Sequence, residues 1–152
     1  MMGSVVRMVG SALTIGNALT DEATGITVLL KQILTPVFEG QSPLVFTITI
    51  VVIACVLTNI CNNMVVGMLL IPIIHVFSQQ IGAGSAAIAC LSMYMVCIAV
   101  VTPAASTTSA ILHGNTKWLK IGDIYKYGIL MSIISLIAVL AVGLPIANIF
   151  FS

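Results

Sequence analysis

The sequence predicts an all-α polytopic membrane protein. Of its 152 residues, 60% are hydrophobic and 6% charged, and the mean hydropathy is +1.23. Its apolar runs approach the length of a membrane span, and polar clusters interrupt them at a few defined points. A soluble domain of this length needs far more polar surface. A net charge of +1 and one Trp leave neither a basic surface nor a stacking platform for nucleic acid. Cys55, Cys61, Cys90 and Cys97 lie inside apolar segments, without the spacing of a zinc site or a secreted disulfide framework, and read as small core residues.

Residues 1–40 read as a transmembrane helix followed by an interfacial helix. The stretch SVVRMVGSALTIGNALT, residues 4–20, is flanked and punctuated by Gly3, Gly10 and Gly16, which would let a neighbouring helix approach closely. Ile26, Leu29, Leu30, Ile33, Leu34 and Val37 then recur at helical spacing, with Lys31 and Gln32 on the other face. That helix is too short and too polar to span, so it is expected along the interface.

Residues 41–82 read as a re-entrant hairpin. Its centre is Thr58-Asn59-Ile60-Cys61-Asn62-Asn63, between VFTITIVVIACVL and MVVGMLLIPII. An amide in hydrocarbon costs roughly 2–7 kcal/mol unless a partner satisfies it, so asparagines at membrane depth point to a site. The flanking arms, residues 43–58 and 63–78, are 16 residues each, about 24 Å as helix against the roughly 30 Å of a bilayer core. Two short arms with a polar tip suit a hairpin that enters and leaves on one side. The same polarity would also suit a surface loop joining two spanning helices.

Residues 83–114 are too long for one straight span and read as a broken helix. The apolar run stops at Thr102-Pro103-Ala104-Ala105-Ser106-Thr107-Thr108-Ser109. Pro103 removes a backbone donor and frees a carbonyl, and five hydroxyls crowd the same stretch. Half-helix ends of this kind bind desolvated ions or carboxylates.

Residues 115–127 gather Lys117, Lys120 and Lys126 with Trp118, Tyr125 and Tyr127, the signature of a cytoplasmic boundary loop. Residues 128–152 form the final transmembrane helix. The basic residues put Arg7 and the lysine loop inside and the hairpin mouths, which lack Lys and Arg, outside.

The order of interface helix, hairpin with an asparagine tip, helix broken at Thr-Pro, lysine loop and final helix resembles the C-terminal half of the divalent anion:sodium symporters, members of the ion transporter superfamily. The family's tip carries Ser-Asn-Thr ten residues before a proline; here Asn62-Asn63-Met64 occupies that place ahead of Pro72, with Thr58 four residues upstream. The family's Pro-x-Ala-Thr-Pro-Pro-Asn-Ala-Ile is similar to Pro103-Ala104-Ala105-Ser106-Thr107-Thr108-Ser109-Ala110-Ile111. Met64 stands where Thr is expected, and Thr107, Thr108 and Ser109 replace two prolines and an asparagine.

The resemblance implies the second of two inverted repeats and an elevator-type transport domain. The transporter would be a homodimer in the plasma membrane, and this chain would be a fragment of it or need its N-terminal half as a partner. It implies substrate contacts from Asn62, Asn63, Ser106 and Thr107. A sodium ion would be held among Thr58, Asn59, Asn63, Thr102, Pro103 and Ser106. The expected activity is sodium-coupled transport of a di- or tricarboxylate or sulfate, not enzymatic catalysis. Neutral oxygens suit sodium, whereas proton coupling would favour a membrane carboxylate or His, for which His75 and His113 are the candidates. A non-transporting membrane subunit or remnant, and an arsenite or other anion permease of the same superfamily, are the alternatives.

Overall fold

The computed structural model describes residue 32, residues 40–115 and residues 117–151. The expected first transmembrane helix, at residues 4–20, lies outside the described residues, and so does the interfacial helix apart from Gln32, which is helical and exposed. The described residues contain helices and no strand: α1 (Pro43–Ile60), α2 (Asn63–Gln80), α3 (Ser85–Cys97), α4 (Thr107–Gly114), α5 (Ile121–Ala138), a π-helical segment (Val139–Gly143) and α6 (Leu144–Phe151).

α1 starts where Pro43 occupies a first-turn position that needs no N–H, with Ser42 Oγ capping Val45 N at 3.4 Å. Thr47 and Thr49 return their hydroxyls to the carbonyls of Pro43 and Val45 at 2.7 and 2.8 Å, so the arm exposes no unpaired hydroxyl to an apolar surround. Cys61 and Asn62 alone link α1 to α2. The two helices run antiparallel, with Phe46 near the start of α1 tilted against Phe77 near the end of α2 at 6.5 Å between ring centroids.

α3 packs against both arms, and the core forms between the three helices from residues such as Phe46, Ile50, Val66, Ile74, Leu91 and Met95. Gly67 brings α2 close to α3: a β-carbon there would lie 3.5 Å from Met93 Sδ and 3.8 Å from Val96 Cγ1. Small residues at a contact permit the dense van der Waals packing that holds helices together where lipid offers no hydrophobic drive.

α3 ends at Cys97, so the helix unwinds at Ile98, four residues before the expected Thr102, and re-forms at Thr107. The final helix also differs from the plain span expected from residue 128. It begins at Ile121, taking Asp123, Tyr125, Lys126 and Tyr127 into helix, and runs 31 residues to Phe151. It carries a π turn, in which Leu144 N reaches back five residues to Val139 O. Pro145, with no N–H and a ring that clashes with a carbonyl one turn earlier, accounts for the irregularity. At Gly143 this helix presses on α3, where a β-carbon would come within 3.0 Å of Leu91 Cδ2.

α1 and the continuous helix from Ile121 to Phe151 are both long and apolar enough to cross a membrane. Only 11% of the long helix's most apolar window is buried inside the protein, and residues such as Ile133, Ile137 and Val142 face outward. A core helix of a soluble protein would be mostly buried; this exterior suits a bilayer. Of the four cysteines, Cys55 alone is buried. Cys61, Cys90 and Cys97 are exposed, against the expectation that all four sit in the core.

Candidate functional site

The two interruptions, the Cys61-Asn62 link and residues 98–106, lie side by side. α1 and α3 run in the same direction and end at the same level, and the contacts between their ends define the site. Thr58, fully buried, donates its hydroxyl to Val96 O at 2.7 Å, meeting one of the carbonyls that α3 leaves open at its end. Asn59 is buried as well. Its Nδ2 donates to Cys55 O at 2.8 Å, and its Oδ1 accepts from Val100 N at 3.2 Å and Val101 N at 3.0 Å. Across the gap, Asn63 N donates to Ala105 O at 3.0 Å. The hairpin tip and the break are therefore stitched together by backbone and buried side-chain hydrogen bonds.

The break is also held from within. Ser106 donates to Ala99 O at 2.7 Å and caps α4 by accepting from Ser109 N at 3.1 Å. Ser109, fully buried, has a single proton, and its closest acceptor is Thr102 O at 2.7 Å, with Val100 O at 3.1 Å. His113 Nδ1 lies 2.8 Å from Ser109 O, and its ring meets Tyr125 of α5 edge-on at 5.1 Å between centroids. α5 closes on the break at Gly128, where a β-carbon would sit 3.2 Å from Val100 O and from Val101 Cα.

A cleft of about 380 Å³ opens between the two starts, α2 on one side and α4 on the other. All four expected substrate residues, Asn62, Asn63, Ser106 and Thr107, line it together with Thr108; Met64, Cys97, Ala99 and Val100 form its less polar wall. Its chemistry is donor-rich. The Oδ1 atoms of Asn62 and Asn63 both accept from Met64 N, at 3.0 and 2.9 Å, so the NH2 end of each amide is the end left for a ligand. At the start of α4, Ser106 caps only Ser109 N and Ala110 N bonds to Ser106 O. Among the described residues the N–H groups of Thr107 and Thr108 have no partner, and the two threonines are exposed. Both helix N-termini carry partial positive charge, and among the described residues no Lys, Arg, Asp or Glu lines the cleft.

The residues expected around sodium are more dispersed. Asn63 and Ser106 line the cleft, but Thr58, Asn59, Thr102 and Pro103 do not. Thr58 and Asn59 belong to the last turn of α1 instead of an unwound tip, and both amide ends of Asn59 are engaged. Pro103 is exposed, while the Thr102 hydroxyl is buried without a hydrogen-bond partner among the described residues. His75, on α2, is exposed beside Gln79. Sequence reasoning missed Cys97 as a lining residue, because a cysteine in an apolar run carries no signal of the face it occupies.

No family model matches the chain, and no curated protein shows significant similarity to it.

Proposed function

We propose that the chain is the second-repeat half of a sodium-coupled secondary transporter of small divalent anions, di- or tricarboxylates or sulfate, in the plasma membrane. The observation that carries this reading is the convergence of two helix N-termini on one uncharged, donor-lined cleft. Amide NH2 groups, free backbone N–H groups and two positive helix ends suit an oxyanion, and the volume suits a small organic acid or sulfate. With no cationic side chain in the lining among the described residues, an anion held here needs a counter-charge in a poorly solvated setting. Sodium supplies it, held by neutral oxygens among which the Thr102 hydroxyl, without a hydrogen-bond partner among the described residues, is a candidate.

The re-entrant geometry is supported by levels along the long helix. Residues 100–101, beside the hairpin tip, meet that helix at Gly128, seven residues after its start at Ile121 and about 10 Å along it. At the other end, Gly84 meets Phe151, so the long helix passes the tip and continues to the hairpin mouth. The tip then lies beside Gly128, just past the charged and aromatic start of the long helix, and α4, eight residues or about 12 Å, covers that start. The tip and cleft would face a partner half that carries the opposite hairpin, and the assembled transporter would work as a homodimer with an elevator motion.

The test is uptake of labelled succinate, citrate and sulfate into proteoliposomes. Sodium is compared with choline, and the chain alone with the chain plus the product of the adjoining upstream reading frame. Sodium-dependent uptake that Asn63→Ala abolishes supports the proposal. Uptake indifferent to sodium removes the coupling ion, and silence with a folded partner present favours a non-transporting subunit.

A further inference from the structure

We infer that Asn59 is a positioning residue: it yokes the hairpin tip to the helix break so that the two helix N-termini keep one fixed relation across the cleft. The inference rests on the anion-site reading above and gives Asn59 a different role from the ion ligand that the resemblance implies. Its geometry is that of a strut. Asn59 sits in the last turn of α1, is 7% exposed and uses both ends of its amide. The NH2 end is anchored on its own helix at Cys55 O, at 2.8 Å. The carbonyl end reaches more than forty residues along the chain to two consecutive amides, Val100 N at 3.2 Å and Val101 N at 3.0 Å.

Those amides belong to a stretch with no helix of its own, so without Asn59 both N–H groups lose their acceptor. One carbonyl oxygen has two lone pairs, and both are occupied, which leaves Oδ1 poorly placed to coordinate an ion as well. The effect reaches the cleft through Val100, which both lines it and receives the strut. Ser106 and Ser109, whose hydrogen bonds to Ala99 O, Val100 O and Thr102 O set the start of α4, hang from the same stretch. Gly128 closes the other side, a β-carbon's width from Val100 O and Val101 Cα, so the stretch is gripped between α1 and α5. Among the described residues, Asn63 N to Ala105 O is the one other hydrogen bond joining the tip to the break itself, and it lies at the far end of the break.

The experiment uses the full chain, with the partner half where uptake requires it, in lipid nanodiscs and proteoliposomes. Asn59→Leu and Asn59→Asp are compared with the wild type by amide hydrogen exchange across residues 98–106 and by the half-saturating concentration of succinate and of sodium. In Asn59→Leu the exchange protection at Val100 and Val101 should disappear while that of α1 and α2 persists. The half-saturating succinate concentration should rise about tenfold, the loss expected from two broken amide hydrogen bonds. In Asn59→Asp the new carboxyl, neutral when buried, can donate to Cys55 O and still accept from both amides, so protection and succinate affinity should return toward wild type. Unchanged protection in Asn59→Leu overturns the strut, and lost protection with unchanged succinate affinity overturns its positioning role. A change confined to sodium affinity, with exchange intact, makes Asn59 an ion ligand instead. If the wild type takes up no anion, the functional reading fails on its own, while the exchange measurement still decides whether the strut exists.

Discussion

The two interruptions of helix at the cleft are built by opposite means. The tip between α1 and α2 is two residues long and largely caps itself: the side chains of Asn62 and Asn63 both serve Met64 N, Cys61 N closes on Leu57 O at 2.7 Å, and Asn63 N turns to the break at Ala105 O. The break between α3 and α4 spans residues 98–106 and relies on its surroundings. Its amides at Val100 and Val101 need Asn59, the Val96 carbonyl at the end of α3 takes Thr58, and its outer side needs the bare backbone of Gly128. A short link can satisfy its few orphan groups locally, whereas a longer unwound segment at low dielectric must borrow donors and acceptors from other helices. The break is therefore the half of the site more sensitive to substitutions made elsewhere.

That contrast is sharpest at Gly128. Replacement by Leu drives a side chain into Val100 and Val101 with no flexible neighbour to yield, and it should destabilise the protein by about 1–3 kcal/mol. Thermal unfolding in detergent measures the loss, and exchange over residues 98–106 should rise more than over α1 and α2. A uniform rise across all helices would break the comparison, because the break would then be no more dependent on its neighbours than the tip is.

At the tip the expected effect is small. Asn62→Ala removes a helix N-cap, a change that ordinarily costs about 0.5–2 kcal/mol. Here Asn63 Oδ1 already accepts from the same Met64 N, so the loss should fall at or below the lower end of that range. A cost near the upper end would show that the tip is not self-sufficient. Anion affinity should nonetheless decline, since the same substitution removes an NH2 donor from the cleft.

The tip's location was legible because polar residues between two apolar arms are costly wherever they lie, and the Thr-Pro run marked the neighbourhood of the break. The boundaries were not. Thr58 and Asn59 read as the start of a polar hairpin tip, yet their partners at Val96, Val100 and Val101 make them stable inside helix, and those partners lie 38 to 42 residues away. The break's beginning, Ile98-Ala99-Val100-Val101, is apolar, so hydropathy could not separate it from the helix before it. Likewise the early start of α5 was hidden by Lys120, Asp123 and Lys126, charges that suit a boundary loop and an exposed first helical turn equally well. The four expected substrate residues meet in one cleft because the two interruptions sit at one level, a fact of topology more than of local pattern.

Whether the cleft holds a small anion can be read most directly at Cys97, which is exposed and part of its wall. The rate at which a thiol-reactive reagent labels Cys97 would be followed by mass spectrometry in sodium, with and without succinate or sulfate. Cys90, exposed in a separate groove beside α5 and α6, serves as the internal reference. An anion bound in the cleft should slow labelling of Cys97 several-fold and leave Cys90 unchanged. Equal labelling of Cys97 at saturating anion, with the protein folded and its partner present, would contradict it.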